Sequence, residues 1–208
     1  YLHRSRDLFD IIQITLADAY QPVTSGAYSL TENYLYTEEA FVEALQHLAP
    51  NGILAATRWL QYPPSEEVRL GALAAAALRH LEITEPGQHV LAFRSWSTLT
   101  LLAKRQAFTP AEVATLRAFC TARQFDLVYY AGMQPDEANV YHIFPEPVYY
   151  RAFAQLLSGQ DTRPFYASHE YDVSPPSDNR PFFFHFFKWR QVPRILQTLG
   201  KTWQPFGG

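Results

Sequence analysis

One cysteine, one methionine and nine glycines are all that the 208 residues supply of those types. Cys120 alone cannot form an internal disulfide or a Cys-rich zinc site. Its setting, LRAFC within a helical pattern, marks it as an inert buried thiol and leans toward a reducing compartment. The glycines form neither GxGxxG nor a P-loop, so the backbone cradle that such turns build for phosphate is missing. The seven histidines, His3, His47, His80, His89, His142, His169 and His185, include no pair at helical ligand spacing, and no metal site is expected. No apolar run reaches the ~18–20 residues of a membrane span. A signal-peptide pattern is absent and the first residue is Tyr1 rather than Met, so the chain reads as a piece of a longer protein.

Acid is missing from one region only. The whole chain balances 17 Lys and Arg against 20 Asp and Glu, a net charge of −3 that argues against nucleic acid as a partner. No acid follows Asp178, whereas Arg180, Lys188, Arg190, Arg194 and Lys201 do. These cations alternate with Phe182, Phe183, Phe184, Phe186, Phe187, Trp189 and Trp203. That composition suits a segment lying at a lipid headgroup boundary, and a membrane surface is the partner expected for residues 180–203. A buried edge strand with a solvated cationic side is the alternative.

What is present is enough for a core: 48% hydrophobic and 15% aromatic residues. FDIIQITL (9–16) has the β-branched, apolar look of a buried parallel strand. Thr37 can N-cap a helix carrying Glu38 and Glu39 in its first turn and an apolar stripe from Ala40 to Leu48. Pro50, Asn51 and Gly52 stop it, and GILAATRW (52–59) follows as a strand. Strand, helix and strand make a βαβ unit, hence an α/β class with a sheet covered on both faces. SEEVRLGALAAAALRHLEI then predicts a long helix. HVLAFR (89–94) and STLTLLAKR (97–105) predict an antiparallel hairpin at a sheet edge. Thr109, Pro110 and Glu112 form a capping box for a helix to about Arg123, DLVYY (126–130) reads as one more strand, and a helix is expected over 147–158.

FDIIQITLADAY and ENYLYTEEAFVEALQHLAPNGILAATRW together resemble the spermidine synthase family, whose fold is that of class I S-adenosylmethionine-dependent methyltransferases. In the family a Tyr-Asp-hydrophobic strand ends in Asp-x-x-Asp-Pro, Leu-Tyr-Thr opens a helix, and Leu-x-Pro-x-Gly leads into the next strand. Phe9-Asp10-Ile11-Ile12, Asp18, Leu35-Tyr36-Thr37 and Leu48-Ala49-Pro50-Asn51-Gly52 match those positions. The closing SDNRPFFF is similar to a membrane-embedded bacterial subgroup of the family.

The resemblance implies a Rossmann-like methyltransferase sheet of which this chain holds the carboxyl-terminal half, with an edge hairpin and an irregular α+β extension. Residues 1–130 would form that partial domain, 131–179 a helical extension and 180–208 a basic aromatic tail. It further implies S-adenosylmethionine or its decarboxylated form as cofactor, with the site half present, and a polyamine or other small-molecule acceptor. The parent protein would lie at the cytoplasmic face of a bacterial inner membrane. A sheet cut at its centre would expose an edge for pairing with another copy.

Aminopropyl transfer needs a carboxylate to hold the amine and take its proton. The family's first acid is replaced by Thr15, whose hydroxyl is no base at neutral pH, and Asp18 remains as the catalytic candidate. Asp18 can equally cap its loop through backbone amides. Tyr20, Glu32, Tyr34 and Tyr36 are the substrate-binding candidates, as aromatic walls and an acid for a cation or an adenine ring; rings packed beneath the loop are the alternative. Arg58 could reach a carboxylate or phosphate, or pair with Glu66 or Glu67. Ser168-His169-Glu170 with Asp172 has hydrolase letters without a nucleophile elbow and reads as a polar loop. The isolated chain is expected to be inactive. The rival readings are a methyltransferase and a non-catalytic module whose sheet serves as a scaffold.

Overall fold

Thr37 sets the first helix. Its side-chain oxygen accepts from the Ala40 amide, with Glu38 and Glu39 following in the first turn. Both features satisfy the positive, unpaired amino end of a helix, and α1 runs Glu38–Gln46. The strands on either side, β1 (Phe9–Ile14) and β2 (Leu48–Trp59), pair in parallel and complete the βαβ unit. β2 starts earlier than its sequence predicts, because Pro50-Asn51-Gly52 kinks the strand without ending it. Asn51 takes a φ of 67° and the β1–β2 register slips between Phe9 and Ile11. A Cβ on Gly52 would lie 2.6 Å from the Phe9 carbonyl oxygen, so only glycine allows this close approach.

The computed structural model describes residues 2–16 and 31–191. Within it β1 and β2 belong to a five-stranded sheet with β3 (Val90–Arg94), β4 (Thr98–Ala103) and β5 (Asp126–Tyr129), in the order β1-β2-β4-β3-β5. Only β1 and β2 are parallel neighbours; β4 is antiparallel to β2 and β3, and β5 to β3. The predicted hairpin is therefore formed, but it sits inside the sheet and not at its edge. β5 closes over β3 because Asp126 meets Arg94 across the pair, with Oδ2 and Nη2 3.0 Å apart.

Side chains alternate across this sheet as a pleat demands. Leu54, Ala56, Val90, Ala92, Leu99 and Leu101 face a core shared with α1, α2 (Glu66–His80) and α4 (Val148–Leu156). α2 lies deepest, with twelve buried residues; its alanine run lets neighbours approach closely, and Phe153 sits against Gly71. On the opposite face Leu91 and Phe93 pack under α3 (Pro110–Arg123), whose capping box is complete. α3 shields only the β3–β5 side. The expected two-sided cover is thus half made among the described residues, and β1 is not the buried strand its composition suggests: Ile14 is 7% exposed but Ile11 68%. Cys120 is buried on the inner face of α3, and loss of hydration pushes its thiol up to about 11, as an inert cysteine should be.

The aromatic segment after Asp178 forms no strand over its described residues, which end at Gln191. Its Phe182 amide bonds to the Arg180 carbonyl and its His185 amide to the Phe182 carbonyl, so the chain turns on itself and drops Phe183 and Phe184 into the main core. Arg69 holds it there. This α2 side chain, 2% exposed, donates to the carbonyls of Asp172, Phe182, Phe183 and His185 and lies 4.4 Å from the centre of the Phe186 ring. Burial pulls its pKa down to about 10, against the opposing pull of Asp172. Two of the supposed tail cations are also engaged. Lys188 donates to the carbonyls of Tyr166 and His169, and Arg190 to those of Ala167 and Ser168, so both cap the carboxyl end of α5 (Arg163–Ser168). No helix of the described residues is long and apolar enough to cross a membrane.

Arg69→Met keeps the bulk of the side chain and strands four carbonyls. A loss of about 3–5 kcal/mol in unfolding free energy is expected by urea denaturation, with new proteolytic cleavage between residues 172 and 188. An unchanged midpoint would show that the segment is held by its phenylalanines alone.

Candidate functional site at the carboxyl ends of the parallel strands

Parallel strands place their carboxyl ends on one edge of the sheet, where α/β folds bind ligands. Here that edge carries Thr15 just past β1 and Arg58 near the end of β2. Arg58 is 1% exposed. Its Nε and Nη2 donate to one oxygen of Glu66 at 3.0 and 2.8 Å, and its Nη1 to the Tyr36 hydroxyl at 3.0 Å. The Tyr36 hydroxyl in turn points to the Thr15 carbonyl, 3.5 Å away. The rings of Tyr36, Phe183 and Phe184 stand 5.0–5.5 Å from the guanidinium carbon. Burial alone would lower the Arg58 pKa, but Glu66 and Tyr36 outweigh it and hold it above the ordinary value. Arg58 is therefore a fixed cation, and of the partners its sequence allowed it takes Glu66.

The candidate substrate residues separate into two environments. Tyr36 is 1% exposed and stacks on Phe183 with ring centres 4.5 Å apart, so its ring is core and not an open wall. Tyr34 is 54% exposed and donates to Glu32 at 3.1 Å. The Glu32 hydrogen bond and charge, with a smaller push from Asp178, raise the Tyr34 pKa. Asp18 and Tyr20 lie outside the described residues.

Two distant stretches of sequence meet at this rim. The Asn33 amide bonds to the Pro181 carbonyl, the Glu38 amide to the Pro176 carbonyl, and the Asp178 amide to a Glu39 carboxylate oxygen. Residues 176–181 are thereby zipped along 33–39, and the stacking of Phe183 on Tyr36 continues the contact inward. The edge offers a buried hydroxyl–guanidinium–carboxylate relay, closed by aromatics, and a solvated phenol–carboxylate pair above it. Among the described residues no group of three or more His, Cys, Asp or Glu could hold a metal ion. Ser168 bonds to the Phe165 carbonyl and His169 leans on the Phe165 ring, so these hydrolase letters form a helix end.

Sequence reasoning offered Glu67 only as a partner for Arg58 and missed its burial. It is fully buried beside Glu66, and its two oxygens accept from the Ser65 and Gln61 amides. Burial drives its pKa well above the carboxylate range, the Glu66 charge adds to this, and the amide bonds oppose it. The Tyr149 hydroxyl donates to the Gln61 carbonyl next to it. The one signal in the sequence was a pair of acids entering an otherwise apolar helix, which reads first as a dipole pairing.

A folded-state pKa raised above the unfolded one gives stability that is complete below the ordinary carboxylate range and is lost as pH rises through the raised value. The stability of the native chain relative to a Glu67→Gln variant is therefore expected to fall as pH rises from about 4 toward neutrality. Thermal denaturation of both proteins across that range measures it, and a pH-independent difference would mean that Glu67 is ionised throughout.

The chain matches no model of a known protein family, and no curated protein matches it.

Proposed function

We propose that the chain is the carboxyl-terminal half of a spermidine-synthase-like domain of the class I methyltransferase type. It would act as a transferase on S-adenosylmethionine or decarboxylated S-adenosylmethionine once the other half of the sheet is joined to it. The observation that carries this reading is the meeting of its two motifs: Leu35-Tyr36-Thr37 and Ser177–Phe184, read separately in the sequence, close on each other at the strand ends through Asn33, Pro181, Tyr36 and Phe183. β1 stands at the end of the strand order among the described residues, which supports it further, since additional strands of such a sheet would pair at that edge. The acceptor would be an amine drawn to the Glu32–Tyr34 rim and to Asp18.

One observation favours a non-catalytic scaffold instead. Thr15 stands where the family's first acid would be, and Phe183 and Phe184 fill the space beside Arg58. In that reading β1 pairs with another copy or partner. A membrane contact would fall to Arg180, Trp189 and residues beyond 191, since Lys188 and Arg190 cap α5.

Calorimetric titration of the full-length protein with S-adenosylmethionine, its decarboxylated form and methylthioadenosine separates the readings. Saturable heat with at least one is expected of the transferase, and no heat with any leaves the scaffold. Given binding, Asp18→Asn should lower turnover by about 100-fold or more if Asp18 takes the proton.

A further inference from the structure

On the face of the sheet opposite Arg58, a cavity of about 200 Å³ lies between α3, β5 and residues 137–141. Spacing along α3 makes one wall. Arg117, Cys120 and Thr121 stand at i, i+3 and i+4, so they share one side of the helix. Phe125 and Leu127 line the space where the helix gives way to β5. The other wall is pinned at both ends. Glu137 accepts from the Tyr130 hydroxyl at 2.7 and 2.6 Å and from the Gln134 amide at 2.9 Å. The Tyr141 amide donates to Asp126 Oδ1 at 2.8 Å, and Ala138 bridges to Leu127 between them. A wall held by the bonds of the fold itself leaves the space formed before any ligand arrives.

The lining decides what fits. Phe125, Leu127, Val140 and Tyr141 offer apolar and aromatic surface. The Thr121 hydroxyl donates to the Arg117 carbonyl at 3.0 Å within its own helix. Cys120 keeps its proton, since burial pushes its thiol up to about 11. Arg117 reaches the far wall, with Nη2 2.9 Å from Glu137 Oε2, and its side chain remains 53% exposed. A guanidinium has five N–H donors and stays charged at any physiological pH, so Arg117 can donate to a ligand in exchange for solvent. The Glu137 carboxylate and the negative carboxyl end of α3 oppose an anion there. The matching group is a neutral acceptor. Size narrows it further: a cavity of about 150 Å³ admits benzene, and sites for larger ligands begin at about 300 Å³. One aromatic ring with a short substituent is the fit.

We propose that this cavity binds a small neutral aromatic carbonyl compound, its ring against Phe125, Leu127 and Tyr141 and its carbonyl oxygen accepting from Arg117. The site lies on the other face of the sheet from Arg58. It is independent of S-adenosylmethionine binding and would persist if the transferase reading failed.

Acetophenone is the probe. Titrated into the full-length protein, it should shift the methyl resonances of Leu127 and Val140 together and saturably. Arg117→Met keeps the stem, removes the donors and should weaken binding about tenfold, the worth of one hydrogen bond. Benzoate, with the same ring and a similar size, should bind more weakly than acetophenone because it is an anion. Thr121→Phe fills the cavity from an exposed helix position and should abolish the response while leaving the thermal midpoint intact. Absence of a saturable shift, unchanged binding in Thr121→Phe or Arg117→Met, or tighter binding of benzoate would each overturn the proposal.

Discussion

Arg69 is the constraint on which the arrangement of the carboxyl-terminal third depends. An arginine inside an alanine-rich helix costs hydration that no single partner restores. Here the restoration comes from peptide carbonyls of a segment more than 100 residues away, all converging on one guanidinium. The segment needs the arginine as much as the reverse. Residues 172–187 make few ladder bonds of their own, so their carbonyls would be buried without donors. Once they are seated, Phe183 and Phe184 are in place to enclose Arg58, and the closed state of the strand-end site follows from a contact on another helix face.

The same device recurs in a row across the sheet. Leu99 of β4 pairs with Arg58 on one side and Arg94 on the other, and Arg94 pairs with Asp126. Two buried cations thus flank one leucine in register. Each is neutralised from outside the strand that carries it, Arg58 by Glu66 of α2 and Arg94 by Asp126 of β5. Each is also roofed by aromatics, Tyr36 and Phe183 for one, Phe144 and Tyr149 for the other. Guanidinium groups suit this position because they are planar, weakly hydrated and able to bond in the plane while stacking on a ring. Replacing either with lysine would forfeit the stack, and at position 58 also the paired Nε and Nη2 bonds to Glu66.

Local chemistry was legible in the sequence and long-range chemistry was not. The Thr109–Glu112 box, the Thr37 cap and the apolar stripe of α1 carry their meaning within four residues, and each helix starts where its signal stood, although α1 ends at Gln46 and Leu48, the last residue of the stripe, opens β2. The kink at Asn51 failed as a stop signal because the strand could absorb a positive φ against Phe9. The internal place of the hairpin depended on Arg94 meeting Asp126, 32 residues apart, for which no local pattern exists. For the site, pairing of Arg58 with Glu66 was within reach, being eight residues apart across a turn. A packed ring at Tyr36 stood among the alternatives, but its packing partner Phe183, 147 residues away, did not. The basic aromatic segment was legible only in part for the same reason: composition records that Lys188 and Arg190 are charged, and only the fold supplies the α5 carbonyls that use them.

The sheet is finished on one side of its centre and open on the other, and this asymmetry bears on where chemistry can occur. From β2 to β5 each inner strand is paired on both edges, the core face is filled, and α3 covers part of the reverse. At β1, among the described residues, a single strand partner, an exposed Ile11 and an exposed Thr15 leave both an edge and a face available. A ligand seated at the carboxyl ends would rest on Tyr36 and Arg58 only through their backs, since both side chains point into the core. Its direct contacts must come from the rim, Glu32 and Tyr34, and from whatever pairs with β1. On the proposed reading the described strands would supply position, and selectivity for a ligand would fall to the rim and to whatever pairs with β1.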